Sequence, residues 1–131
     1  MTRQVESISP VLLVADVVKA AEYYERRLGF TVRVVGEPPN FAIVRRDGSS
    51  IMLNQVETGA AIHPNAGYDG RYDVYVRVSN ADVLFQEIKA RGADIAFEPS
   101  DEPYLMREFA VRDSDGHLLA FGHDISSAKS S

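Results

Sequence analysis

The chain contains no cysteine. That absence excludes disulfide bonds, thiolate nucleophiles and cysteine-ligated metals, and it fits a reducing cytoplasm, the expected location. No apolar run approaches the ~20 residues that a membrane span needs, so no membrane partner is expected. Residues 1–10 carry no signal-peptide pattern. An excess of positive charge is also missing. The 14 Lys and Arg residues stand against 19 Asp and Glu, a formal net charge of −5, which disfavours nucleic acid as a partner. Such mild acidity serves solubility and leaves a weak preference for cationic ligands.

At 131 residues, with 45% apolar and 25% charged residues, the chain is expected to form one compact unit with a real core. Its pattern is a module written twice. The segment Phe41-Ala-Ile-Val-Arg-Arg-Asp-Gly-Ser-Ser-Ile-Met-Leu-Asn54 reads as two strands around a turn at Asp47-Gly48. The segment Arg107–Gly122 does the same around Asp115-Gly116. Laid over each other, Phe41 falls on Phe109, Ile43 on Val111, Ile51 on Leu119 and Met52 on Ala120.

The elements ahead of each hairpin also match. Ile8–Val14 is a β-rich run suited to burial on both faces. Asp16 stands as an N-cap before Val17–Leu28, where Val17, Ala20, Tyr24 and Leu28 recur at helical spacing and Gly29 stops the helix. Tyr72–Val78 alternates strictly, with Asn80 as the next N-cap. Ala81, Leu84, Phe85 and Ile88 then form an apolar stripe closed by Gly92. Phe30–Val35 and Asp94–Phe97 read as further strands, and Glu98–Pro103 reads as a turn. Residues 1–6 are expected to fray, residues 55–71 to form a loop with a function such as covering a cleft, and residues 126–131 to be disordered.

The expected fold is therefore α+β: two tandem β-α-β-β-β modules forming curved mixed sheets around a cleft, with helices outside. Module 1 spans about 7–55, the connecting loop 56–71, module 2 about 72–124 and the tail 125–131. Because cross-strand partners share a face, Phe41, Ile43, Met52 and Asn54 should line one wall of the cleft. Phe109, Val111 and Ala120 should line the other.

The sequence resembles the vicinal oxygen chelate superfamily, the glyoxalase, bleomycin-resistance and ring-cleavage dioxygenase group. The carrying residues are Val14-Ala-Asp16, Tyr23-Tyr24, Leu28-Gly29-Phe30, Val78-Ser-Asn80, Arg91-Gly92 and Arg112-Asp-Ser-Asp-Gly-His-Leu-Leu119. The resemblance covers Ile8 to Asp124. In its metal-dependent members it implies a His or Gln on the first strand of each module and a Glu or His on the last. Here the corresponding positions are Ser9, Asp73, Met52 and Ala120. Three or more His, Asp, Glu or Cys ligands are normally needed for Zn²⁺ or Fe²⁺, so no metal and no other cofactor is expected.

The histidines do not replace that set. Alternation points His117 and His123 away from the cleft, and His63 lies in the loop. Ser9 has no histidine in view for a nucleophilic triad. Asp73, sharing a side with Tyr75 and Arg77, is the polar residue expected to anchor a ligand or act as a general base. Its plainer alternative is a solvated strand end or an ion pair with Arg77.

The expected ligand-binding set is Phe41, Ile43, Met52, Asn54, Asp73, Tyr75, Arg77, Tyr104, Phe109 and Val111, with Met106 in the same aromatic and Met-rich group. The resemblance implies a metal-free small-molecule binding protein of the bleomycin-resistance type that sequesters an aromatic or cationic compound. A homodimer is expected. The alternative is a glyoxalase-like lyase or isomerase, or a dioxygenase-type enzyme. A third possibility is an interaction domain whose cleft is filled by its own side chains.

Overall fold

The computed structural model describes residues 3–129. It divides into two compact units, one up to Ile62 and one from His63, so the division falls inside the expected connecting loop. The expectations for residues 1–2 and 130–131 lie outside the described residues.

In the first unit, strand β1 (Val11–Val14) leads to helix α1 (Val17–Leu28), then to β2 (Thr31–Val35), β3 (Phe41–Arg46) and β4 (Ser49–Gln55). The sheet order is β1-β4-β3-β2, with β1 parallel to β4 and the other pairs antiparallel. The Asp16 carboxylate accepts from the Val18 and Lys19 amides, and Gly29 ends the helix in the left-handed region. Val17, Ala20, Ala21, Tyr24 and Leu28 are buried with Val14, Val44 and Leu53. Strand β1 is not buried on both faces as expected: Leu12 and Val14 face the core, while Val11 and Leu13 are exposed.

The second unit repeats the plan with β5 (Val74–Arg77), α2 (Ala81–Ala90), β6 (Asp94–Glu102), β7 (Met106–Arg112) and β8 (Leu118–Asp124). Its order is β5-β8-β7-β6, with β5 parallel to β8. A one-turn 3₁₀ helix, Asn65–Gly67, sits in the loop before β5, and a short helix α3 (Ser126–Lys129) stands where disorder was expected. Strand β6 runs through the expected turn at 98–102, with irregular pairing near Phe97 and Ser100. Helix α2 is capped twice, by the Asn80 side chain accepting from Val83 N and by His123 Nδ1 accepting from Ala81 N at 2.8 Å.

The two hairpins differ at the turn. Asp47 and Gly48 both take positive φ, and Arg46 pairs with Ser49, a two-residue connection. Phe41 then faces Asn54 and Ile43 faces Met52, as expected. In the second hairpin the loop has five residues, because Arg112 pairs with Leu118. Asp113 holds that loop: its Oδ1 accepts from the Asp115 and His117 amides at 2.9 Å, and its own amide donates to the His117 carbonyl. The His117 ring adds a 2.9 Å contact from Nδ1 to Asp113 Oδ2.

The longer loop moves the pairing by one residue, and a one-residue slip exchanges the faces of a strand. Ala110 therefore faces Ala120 and Phe109 faces Phe121. Phe109 stacks on Phe121 and meets Phe85 of α2 edge-on. Phe109 and Val111 thus belong to the helix-side core and do not share a face with Ala120. The face opposite the helix carries Glu108, Ala110, Ala120 and Gly122 instead.

Two outcomes check this packing. Ile88 is fully buried on α2, so Ile88→Ala should lose roughly 2–5 kcal/mol in urea unfolding; a loss below about 0.5 kcal/mol would contradict the assigned face. Burial alone would push the His117 imidazole down, but the hydrogen bond and charge of Asp113 outweigh it, and His117 lies above its ordinary 6.5. Its stabilisation is complete below pH 6.5 and is lost as pH rises through the folded value. A ring titration by NMR should give a midpoint above 6.5, and a lower midpoint would contradict the pairing.

Candidate functional site

The exchanged face of the second unit gathers its chemistry around one carboxylate. Glu108 on β7 is fully buried, and an ionised carboxylate out of water needs donors. Three tyrosines from separate segments supply them. Tyr72, just before β5, donates to Oε1 at 2.6 Å, and Tyr75 on β5 donates to Oε2 at 2.6 Å. Tyr104, in the turn between β6 and β7, also donates to Oε1. Among the described residues no Lys, Arg or His ion-pairs with Glu108.

Local backbone features make room for the cluster. Gly122 lies opposite Glu108 on β8, and a Cβ there would collide with the Tyr75 hydroxyl. Leu105, next to Tyr104, holds a positive φ of 62°, a costly conformation for a branched side chain. Burial, then hydrogen bonding to Glu108 and its charge, push Tyr104 up to about 12 and raise Tyr72 and Tyr75 as well. The phenols stay protonated and stay donors to Glu108.

Tyr72 connects this cluster to an open hollow. Its ring lies 6.0 Å from Tyr75 and 6.3 Å from Phe97, centroid to centroid. The hollow has a volume of about 950 Å³ and is lined by Asn65, Tyr68, Asp69, Gly70, Arg71, Tyr72 and Phe97. Asp73 fixes its loop. One Asp73 oxygen accepts from Asn65 N at 2.7 Å and the other from Leu118 N at 2.9 Å, while Asn65 Nδ2 donates to the Tyr72 carbonyl. Asp73 therefore sits just ahead of β5 as a clasp between the loop and β8. Arg77 pairs with Asp124 at 3.9 Å, not with Asp73.

The expected residues thus separate. Tyr75, Tyr104, Arg77 and Asp73 belong to the second unit's exposed side or its clasp. Phe41, Ile43, Met52 and Asn54 form a half-buried patch on the first unit, on the face away from α1. Phe109 and Val111 are core. Glu108, Tyr72, Tyr68 and Phe97 were missed. The available signal was Gly122, an isolated glycine inside a strand pattern, which marks close approach by another group.

The positions that the family resemblance assigns to metal do not fit one. Ser9 and Ser50 share a 2.6 Å hydroxyl contact, and Met52 brings no hard donor. Ala120 is fully buried in an apolar cluster with Ala110 and Leu118, against which Ala66, Tyr72, Ala96 and Phe97 pack. Both oxygens of Asp73 are taken by amides. Among the described residues no three His, Cys, Asp or Glu side chains group to hold a metal ion, and no helix is long and apolar enough to cross a membrane.

A family model described as the Glyoxalase/Bleomycin resistance protein/Dioxygenase superfamily matches residues 7–121. Among solved structures, TioX from Micromonospora sp. ML1 is 27% identical, with a TM-score of 0.65, over 90% of this chain and 95% of that one. The bleomycin-binding protein from bleomycin-producing Streptomyces verticillus, complexed with copper(II)-bleomycin, is 25% identical, with a TM-score of 0.69, over 92% and 97%. A glyoxalase-related enzyme from Clostridium phytofermentans has a TM-score of 0.75 at 20% identity, over 94% and 98%, a likeness of fold. No curated protein matches the chain.

Restoring the family carboxylate offers a direct check on the apolar cluster. Ala120→Glu would bury an unpaired charge and should cost on the order of 3–5 kcal/mol in urea unfolding. A variant of unchanged stability that gains a tightly held Zn²⁺ or Ni²⁺ would contradict the packing described.

Proposed function

The chain belongs to the glyoxalase/bleomycin resistance protein/dioxygenase superfamily, and on that premise we propose that it is a small-molecule binding protein that sequesters an aromatic organic compound, without a metal and without breaking a bond. The observation that carries this reading is the hollow walled by Tyr68, Tyr72 and Phe97 on the second unit. Stacked or edge-on aromatic contacts contribute about 0.5–1.5 kcal/mol each beyond area burial, so a planar ligand suits such walls. The similarity to a bleomycin-binding protein supports the same class of action.

Asp73 acts here as a positioning residue. Its two bonds to backbone amides hold the loop that carries Tyr68 and Tyr72, so the hollow is formed before a ligand arrives and less ordering is needed on binding. Those bonds also argue against Asp73 as a general base, which needs an oxygen free to reach a substrate proton. Phe41, Ile43, Met52 and Asn54 offer an apolar surface of the same kind on the first unit.

Titration with 9-aminoacridine, a planar aromatic cation, and with copper(II)-bleomycin should test this. Tyrosine fluorescence should saturate for at least one compound with a Kd on the order of micromolar or below. Native mass spectrometry should show a complex from which the compound is recovered at its original mass. Saturation by neither compound would contradict the reading, and recovery of an altered compound would favour the enzyme alternative.

A further inference from the structure

The Glu108 cluster has a chemical polarity that the hollow alone does not. A carboxylate only accepts hydrogen bonds, so Tyr72, Tyr75 and Tyr104 each commit their single O–H proton to it. What each hydroxyl has left is acceptor capacity, part of it taken up between Tyr72 and Tyr104, whose hydroxyls also contact each other, while Tyr75 keeps its own. The residues carrying those hydroxyls reach solvent, with Tyr104 57% and Tyr75 39% exposed, while Glu108 itself is 0% exposed. A buried negative charge therefore stands behind three aromatic rings whose remaining oxygen lone pairs only accept.

Of the nearby cations, Arg77 reaches Asp124, and Arg71 lines the rim of the hollow with Asp69, away from the three hydroxyls on Glu108. A ligand group that brings both a positive charge and an N–H satisfies every element: it donates to the phenol oxygens, lies against ring faces and compensates the charge of Glu108. An anion or a pure acceptor meets no donor on these hydroxyls.

Resting on the proposed binding role, we infer that Glu108, through Tyr72, Tyr75 and Tyr104, selects ligands bearing an N–H cation, an ammonium or amidinium group attached to the aromatic body held in the hollow. Glu108 touches no ligand in this account. It is a specificity-determining residue that works by fixing the hydrogen-bond polarity of the three phenols. Gly122, by leaving space for the Tyr75 hydroxyl, is part of the same device.

The test uses one aromatic body with four head groups: 1-naphthylmethylammonium, its trimethylammonium analogue, 1-naphthylmethanol and 1-naphthylacetate. The full-length protein should bind the ammonium at least about tenfold tighter than the alcohol or the acetate, and more tightly than the quaternary ion, since only the first combines charge with N–H donation. In Glu108→Gln a side-chain N–H can donate to a phenol, freeing that phenol's own proton to point elsewhere. The ammonium preference should then fall to within about threefold, with the affinity for the alcohol kept.

Circular dichroism establishes whether each variant is folded. Should Glu108→Gln not fold, Tyr104→Phe removes the most exposed of the three acceptors and should weaken the ammonium several-fold more than the alcohol, whose hydrogen bond is not charge-assisted. Equal binding of all four probes by wild type, or tighter binding of the acetate or the quaternary ion, overturns this inference but leaves the aromatic-binding role standing. If none of the four binds, both are overturned.

Discussion

The second unit depends on how Asp113 closes the loop between β7 and β8. A two-residue turn at Asp115-Gly116 would have paired Val111 with Ala120 and left Glu108 among the helix-side core residues. Asp113 accepts two amides instead, with the His117 ring beside it, and the loop widens to five residues. Strand periodicity then acts without exception. Phe109 and Val111 turn to α2, and Glu108, Ala110, Ala120 and Gly122 turn to the other face. A local hydrogen-bond pattern worth little by itself decides which side chains turn away from α2.

Once Glu108 lies on that face, much of the surroundings follows from the expense of burying charge. A carboxylate removed from water requires donors, and they come from three points of the chain: the end of the connecting loop, β5 and the β6–β7 turn. Gly122 gives way for one of them, and Leu105 holds a strained conformation beside another. The alanines at 110 and 120 let Tyr72 and Phe97 pack close to the sheet. The same small side chains leave the family's last-strand metal position apolar, while the Glu108 carboxylate on this face is enclosed by three phenols. The side chains around Ala120 do not fit a metal ion.

Much of the fold was legible because it rests on local signals. Asp16, Gly29, Asn80 and the 3.6-residue stripes marked both helices, and Asp47-Gly48 gave the first hairpin its register. The second hairpin carried the same dipeptide, but its register was decided by a side chain two residues upstream reaching back to backbone amides. Such a bond competes with the turn and leaves no mark in periodicity. That single residue of slip is why Phe109 and Val111 were expected on the ligand side and Glu108 was not. Asp73 was expected to anchor a ligand or act as a general base, or else to pair with Arg77; it clasps backbone amides instead, because its partners, Asn65 and Leu118, are distant in sequence or set by loop geometry. The extension of β6 through Glu98–Glu102 was hidden by Pro99, which reads as a breaker but fits an irregularly paired strand.

A bound aromatic compound is expected to meet the face of Tyr72, Tyr75, Tyr104 and Phe97 and not that of Phe109 and Phe121. Protein carrying ¹³C-labelled tyrosine and phenylalanine rings, titrated with 9-aminoacridine and followed by NMR, tests it most directly. The ring currents of the bound dye should shift the resonances of Tyr72, Tyr75, Tyr104 and Phe97 and leave Phe109 and Phe121 in place. Shifts centred on Phe109 and Phe121, with the tyrosines unmoved, would contradict the account.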